Sequence, residues 1–172
     1  PAFSGLGAPY WDSEARASVV GMSRTTRKAE FVRAALECIA YQITDIILGM
    51  SADAGVPVKE LRADGGPTKN GYLMQFQSNI ADAGVLVPDF EELSAIGPAY
   101  AAGLRLGVWD ESIFGKLNRT SYKPDMESDL RQQKYAGWKR AVASVITGKA
   151  IKEKELHNES RNCLYKYNTR TY

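Results

Sequence analysis

The sequence predicts an α/β domain built on a largely parallel sheet. Short apolar or β-branched runs near residues 17–22, 60–64 and 85–88 alternate with longer helical patterns. This alternation is typical of parallel strands joined by helical crossovers. The 172 residues are 44% hydrophobic and 24% charged, which is the composition of a globular domain with a core of its own.

The longest predicted helix covers residues 28–54. Apolar side chains recur there at steps of three and four residues, and Gly55 and Pro57 follow as stop signals. We therefore expect a long buried helix with one apolar face. That face comprises Val32, Leu36, Ile39, Ile43, Ile46, Ile47 and Met50.

The other elements follow in order along the chain. Helices are predicted over residues 70–83, 94–107 and 126–146, with Ser94 as the N-cap of the second of these. We expect the folded part of the chain to end near residue 148. The charged and polar residues 149–172 are expected to be a loosely ordered tail.

Composition excludes several classes of partner and site. The net charge is +2 and the basic residues are scattered, so we expect neither nucleic acid nor an anionic membrane surface as a partner. No apolar run reaches the length of about 18 residues that a membrane span needs. No Cys or His cluster has metal-ligand spacing. The chain lacks a secretory signal, which favours the cytoplasm, and it starts without Met, which suggests a fragment.

The segment 64–70 is the strongest local candidate for a binding site. Asp64, Gly65 and Gly66 follow a predicted strand and precede a helix, where ligands bind in open α/β sheets. Glycine lets a ligand approach the backbone, a helix N-terminus suits phosphate, and Asn70 offers an amide. On local grounds alone, a plain turn with Asn70 as a helix N-cap is favoured over a ligand site. Asp64 could be a general base or could fix the loop.

Several segments together resemble the carbohydrate kinases of the glycerol kinase and xylulokinase family. Residues 17–22, followed after seven residues by 30–37, fit one family signature, and residues 64–66 with Asn70 resemble its adenosine motif. Segments 3–12, 73–77 and 135–142 are most similar to the glycerol kinases within it. The resemblance covers about residues 1–147.

The resemblance implies that residues 1–148 form one nucleotide-binding domain, incomplete at its N-terminus, which is the C-terminal portion of an actin-like, ribonuclease H-like ATPase domain. Gly66 and Asn70 would contact ATP or ADP with Mg²⁺, and Gly65 would shape the turn. The catalytic Asp and the polyol site would lie upstream, so we expect no catalytic or metal-binding residue here and no activity from this chain alone. The substrate would be glycerol or a related polyol or sugar, and the complete enzyme would be a homo-oligomer.

The same resemblance implies that the domain's first two strands are missing. One of them would lie between the strands near Val19 and Leu61, leaving hydrogen-bonding edges open. Two alternatives stay open: a kinase of this family acting on another sugar, such as xylulose or gluconate, and a non-catalytic actin-like nucleotide-binding module.

Overall fold

The computed structural model describes residues 1–89, 93–116 and 118–147. These residues form two compact units. The split unit consists of Pro1–Arg27 and the described residues from Ala136 onward, and the central unit is Lys28–Tyr135. The single domain expected over residues 1–148 stays a prediction. The predicted tail, 149–172, lies outside the described residues.

The elements confirm the predicted α/β class. Four helices and three strands are described, with two short 3₁₀ segments, Gly66–Lys69 and Glu111–Lys116. The helices are α1 (Lys28–Ala54), α2 (Gly71–Ala81), α3 (Leu93–Arg105) and α4 (Ser128–Ala143); the strands are β1 (Glu60–Arg62), β2 (Gly84–Pro88) and β3 (Arg119–Tyr122). Because α3 begins at Leu93, Ser94 lies inside it and is not its N-cap.

The sheet is mixed, with the strand order β1-β2-β3. β1 and β2 run parallel with Leu61 opposite Val85, whereas β2 and β3 run antiparallel with Leu86 opposite Ser121. The expectation of a largely parallel sheet is therefore wrong for one of the two pairings. β3 was not predicted because its residues are largely exposed and polar, so no apolar alternation marks it.

The strand predicted over residues 17–22 is absent. This segment has no strand structure, and Val19, Val20 and Met22 are more than half exposed. A strand is stable only when a neighbouring backbone satisfies its N–H and C=O groups. No described strand pairs with this segment, which explains why its β-branched sequence does not form a strand.

Helix α1 has the predicted bounds but is only partly buried along its predicted face, where Ile47 is buried and Leu36 and Ile43 are half-buried. Val32, Ile39, Ile46 and Met50 form a stripe along one side of the helix, and each is between 38% and 59% exposed. Among the buried residues of α1, Tyr41 and Thr44 contact α2. The apolar stripe thus has no covering layer among the described residues.

The interface between α1 and α2 combines aromatic packing with buried polar groups. The ring of Tyr41 meets the edge of Phe76 with centroids 5.5 Å apart. Nε2 of Gln77 donates to Oγ1 of Thr44 at 3.3 Å, and both side chains are fully buried. Ser78 joins α2 to the sheet, because its hydroxyl reaches the carbonyl oxygens of Ala83 and Tyr122.

The split unit has a small core around Asp12. Its two carboxylate oxygens accept hydrogen bonds from the backbone N–H groups of Glu14 and Ala15, and from the N–H and hydroxyl of Thr147. Asp12 is 3% exposed, and it joins the first loop to a residue 135 positions later. The surrounding apolar residues are Ala2, Leu6, Ala15 and Val142, with Tyr10, Trp138, Val145 and Ile146 packed against them.

Acidification is expected to destabilise the split unit through Asp12. The Thr147 N–H is the main cause that lowers the pKa of Asp12, and it outweighs the opposing effect of burial. A lowered pKa in the folded state means that the stabilisation is present above the unfolded value of 3.8 and is lost as pH falls through the folded pKa. Equilibrium unfolding at a series of pH values measures this loss.

The matched variant for this prediction is Asp12→Asn. Asparagine cannot titrate, so the stability difference between the two chains should shrink below about pH 4. Trp138 packs against this core and reports unfolding by its fluorescence. A difference that stays constant with pH would contradict the prediction.

Candidate functional site

The turn at residues 64–66 lies at the carboxyl end of β1. The N–H of Ala63 donates to the carbonyl of Leu86 at 3.0 Å, which extends the β1–β2 pairing by one residue before the chain turns away. Because β1 and β2 are parallel, both strands end at the same edge of the sheet. The structure therefore places the turn at the edge where open α/β sheets bind ligands.

Gly65 has a backbone conformation that only glycine adopts readily. Its φ is 94° and its ψ is 171°, a region in which a Cβ atom clashes with the backbone. The conformation reverses the chain between β1 and the 3₁₀ segment that follows. This geometry fits the predicted role of Gly65 in shaping the turn.

Gly66 leaves open space beside its backbone. A Cβ atom built at this position would meet no other atom within 4 Å, and the residue is exposed. Its φ lies outside the left-handed region, so folding does not by itself require glycine here. A ligand could approach the peptide backbone closely at this residue.

Pro67 and Thr68 stabilise the turn after Gly66. Pro67 lies in the first turn of the 3₁₀ segment, where its missing N–H costs no hydrogen bond. The N–H and hydroxyl of Thr68 both donate to the carbonyl of Gly65, at 3.0 and 2.7 Å. Sequence reasoning did not predict this role for Thr68, although Thr three residues after a turn carbonyl is a recognised local pattern. The 3₁₀ segment separates the glycines from α2.

Asn70 is the N-cap of α2. Its Oδ1 atom accepts a hydrogen bond from the N–H of Leu73 at 3.1 Å, and α2 begins at the next residue, Gly71. This use of Oδ1 leaves the Nδ2 group with no acceptor among the described residues. Asn70 therefore caps the helix, as the structural alternative predicted, and still has two N–H donors for a ligand.

Asp64 is exposed and makes no hydrogen bond or ion pair with another described residue. The expected loop-fixing hydrogen bonds are therefore not seen.

Within the described ranges, no group of three or more His, Cys, Asp or Glu side chains could hold a metal ion. No helix in the same ranges is both long and apolar enough to cross a membrane.

Comparison with protein families decides which proteins this chain is related to. Residues 1–106 match the model for the C-terminal domain of the FGGY family of carbohydrate kinases. The chain belongs to this family. The resemblance found from residues 17–22, 30–37 and 64–70 is thereby confirmed, and the matched region includes the turn and α2.

Known FGGY relatives agree with the family match. The chain is 49% identical over 145 residues to a protein named glycerol kinase from Staphylococcus epidermidis, covering 83% of this chain and 29% of that protein. It superposes on the structure of Plasmodium falciparum glycerol kinase with ADP at a TM-score of 0.76 and 37% identity, covering 86% of this chain and 30% of that one. The ligand-bound xylulose kinase of Lactobacillus acidophilus gives 0.67 and 25%, with coverages of 85% and 31%.

The chain spans about 30% of the length of the FGGY relatives that it matches. The assignment of Gly65, Gly66 and Asn70 to a nucleotide stays a prediction, and the structure provides the geometry with which it can be tested.

Proposed function

We propose that this chain is the ATP-binding C-terminal portion of a glycerol kinase that transfers the γ-phosphate of ATP to glycerol. The observation that carries the proposal is the open backbone at Gly66, with the Asn70 amide four residues on, at the carboxyl end of β1. The identity of 49% to a protein named glycerol kinase supports the choice of substrate. A xylulose or gluconate kinase is the alternative. It ranks second because the superposed xylulose kinase is 25% identical, whereas the superposed glycerol kinase is 37% identical.

The residues of the turn fit an adenine nucleotide. A side chain at Gly66 would fill the space that the ligand needs, and the Nδ2 group of Asn70 can donate to a nucleoside or phosphate oxygen. The glycine-only conformation of Gly65 would set the position of Gly66 and Asn70 relative to β1. The ADP bound to the related Plasmodium falciparum enzyme supports the choice of nucleotide.

Mg²⁺ would be bound through the phosphates of ATP, where it neutralises charge during transfer. This chain would bind the nucleotide and form one side of a nucleotide-binding cleft. The carboxylate that deprotonates glycerol, the first phosphate loop and the polyol-binding residues belong to polypeptide upstream of Pro1. The chain alone would therefore not phosphorylate glycerol. The complete protein would be a cytoplasmic homo-oligomer, in keeping with its use of ATP and with the resemblance to its family.

The upstream polypeptide would also complete an actin-like, ribonuclease H-like domain with two further strands. Three observations support this part of the proposal. β1 is an edge strand that pairs only with β2 among the described strands. The apolar stripe of α1 is uncovered, and residues 17–22 have a strand-like sequence without a strand partner. Added strands would satisfy the backbone of both segments and bury the stripe.

The substitution Asn70→Ala in the complete kinase tests the proposed function. We expect the dissociation constant of ADP to rise about tenfold or more, because a hydrogen bond to a charged ligand is lost. The Michaelis constant for glycerol should change by less than about twofold, since this turn is not proposed to touch glycerol. Calorimetry and steady-state kinetics provide the two measurements.

The substitution Asn70→Ser separates ligand binding from helix capping. Serine caps helices as well as asparagine does, whereas alanine at an N-cap costs about 1 kcal/mol of stability. Both variants should bind ADP weakly, but only the alanine variant should lose stability. If serine preserved ADP affinity, Asn70 would be a cap alone. A complete protein that bound ADP but phosphorylated no polyol or sugar would instead be the non-catalytic module.

A further inference from the structure

The carboxylate of Glu37 joins residues from three helices, all within the central unit. Its Oε1 atom accepts hydrogen bonds from Nε of Arg33 and from the hydroxyl of Tyr72, each at 2.6 Å. Its Oε2 atom lies 3.9 Å from Nζ of Lys134. Arg33 belongs to α1, Tyr72 to α2 and Lys134 to α4, and the Glu37 side chain is only 12% exposed. Hydrogen bonds to an ionised carboxylate are stronger than those between neutral groups.

The ring of Tyr72 contacts two neighbouring side chains, although it is 44% exposed. It stacks on Phe76 with centroids 6.1 Å apart and planes inclined by 15°, and the guanidinium carbon of Arg33 lies 5.9 Å from its centroid. Burial, followed by the hydrogen bond to Glu37, raises the pKa of Tyr72. A tyrosine hydroxyl is already protonated at neutral pH, so it can donate to Glu37.

Tyr72 lies in the helical turn that carries Asn70. Tyr72 is the second residue of α2. The two residues after Tyr72 both donate hydrogen bonds to Asn70. Oδ1 of Asn70 accepts from the N–H of Leu73 and its carbonyl accepts from the N–H of Met74, both at 3.1 Å. A displacement of Tyr72 would move these N–H groups, and the Asn70 amide would move with them.

We propose that Glu37 is a positioning residue for nucleotide binding, which acts through Tyr72 to hold the first turn of α2 and so direct the Asn70 amide toward the nucleotide. The inference rests on the proposed function, because it assumes that Asn70 binds the nucleotide. It assigns to α1 a part in a site whose other residues all lie between β1 and α2. Neither Glu37 nor Tyr72 is required to touch the ligand.

The substitution Tyr72→Phe in the complete kinase tests the inference with the smallest change. It removes the hydroxyl and keeps the ring that stacks on Phe76. We expect the dissociation constant of ADP to rise about threefold to tenfold, with the Michaelis constant for glycerol within about twofold of wild type. Glu37→Ala should have a similar effect, and Glu37→Gln a smaller one because the amide oxygen can still accept from Tyr72.

A double variant shows whether the two residues act as one unit. If Glu37 acts through Tyr72, Glu37→Ala combined with Tyr72→Phe should weaken ADP binding no more than the stronger single variant does. Additive effects on ADP affinity would overturn the proposal, because they would mean that Glu37 influences the site by a separate route.

Arg131→Gln is the matched control. Nη1 of Arg131 lies 2.8 Å from Oδ1 of Asp82, so this ion pair joins α4 to the other end of α2. Its loss should lower stability without changing the affinity for ADP. Equal effects of Arg131→Gln and Tyr72→Phe on ADP affinity, or no effect of Tyr72→Phe, would overturn the inference.

The Asn70→Ala variant distinguishes a wrong role for Glu37 from a wrong proposed function. If Asn70→Ala weakens ADP binding and Tyr72→Phe does not, only the role of Glu37 is wrong. If Asn70→Ala also leaves ADP affinity unchanged, the nucleotide site itself is wrong.

Discussion

Replacing Gly66 with valine should abolish nucleotide binding by the complete kinase while leaving its fold intact. A Cβ atom at Gly66 would meet no atom within 4 Å beyond its two chain neighbours, so we expect folding to tolerate the change. The same side chain would occupy the position where the nucleotide approaches the backbone. We expect a loss of ADP affinity of about 100-fold or more, which corresponds to about 2.8 kcal/mol. Calorimetric titration with ADP and a thermal unfolding curve provide the two measurements.

The neighbouring variant Gly65→Ala serves as the contrast. With φ at 94° and ψ at 171°, a side chain at this residue is strained by about 1–3 kcal/mol. Gly65→Ala should therefore lower stability as well as affinity, whereas Gly66→Val should lower affinity alone. Unchanged ADP binding by a folded Gly66→Val protein would remove the central support for the proposed site.

Gly5→Ala should destabilise the split unit more than any other single methyl addition considered. Gly5 has a φ of 91°, and a Cβ atom there would lie 2.7 Å from both the carbonyl oxygen of Asp12 and the Cα of Ser13. These are backbone atoms, so they cannot rotate away as a side chain would. Backbone strain and overpacking together predict a loss of about 3 kcal/mol or more in the free energy of unfolding.

The control for this prediction is Gly7→Ala, two residues along the same loop. A Cβ atom at Gly7 would meet no other atom within 4 Å, and its φ is not in the left-handed region. The free energy of unfolding should therefore change by no more than about 0.5 kcal/mol. Denaturant titrations of both variants measure the difference, and similar losses for the two would refute the steric argument.

The parts of the fold that depend on local chemistry could be predicted from the sequence. The limits of α1 are an example, because Gly55 takes a φ of 68° directly after the helix and Pro57 prevents its continuation. The position of the glycine turn after β1 was predictable for the same reason. Burial was not, because the exposure of Val32 and Ile46 depends on which elements surround the helix.

The parts that depend on contacts distant in sequence could not be predicted. Asp12 is stabilised by Thr147, and Glu37 by Tyr72, across separations of 135 and 35 residues. No periodic pattern links such pairs. The candidate site lies between these cases. The glycines and Asn70 were proposed from their position between a strand and a helix and from the resemblance to the family's adenosine motif. The hydrogen bond from the Thr68 hydroxyl to the Gly65 carbonyl was not predicted.

The split unit is assembled from the two ends of the described chain, with all of the central unit inserted between them. During synthesis its first 27 residues emerge more than a hundred residues before the segment that contains Trp138 and Thr147. Until that segment leaves the ribosome, Asp12 has no Thr147 to bind, and Leu6 cannot pack against Val142. The central unit can fold in the meantime, whereas the N-terminal loop has to wait for the late part of the chain.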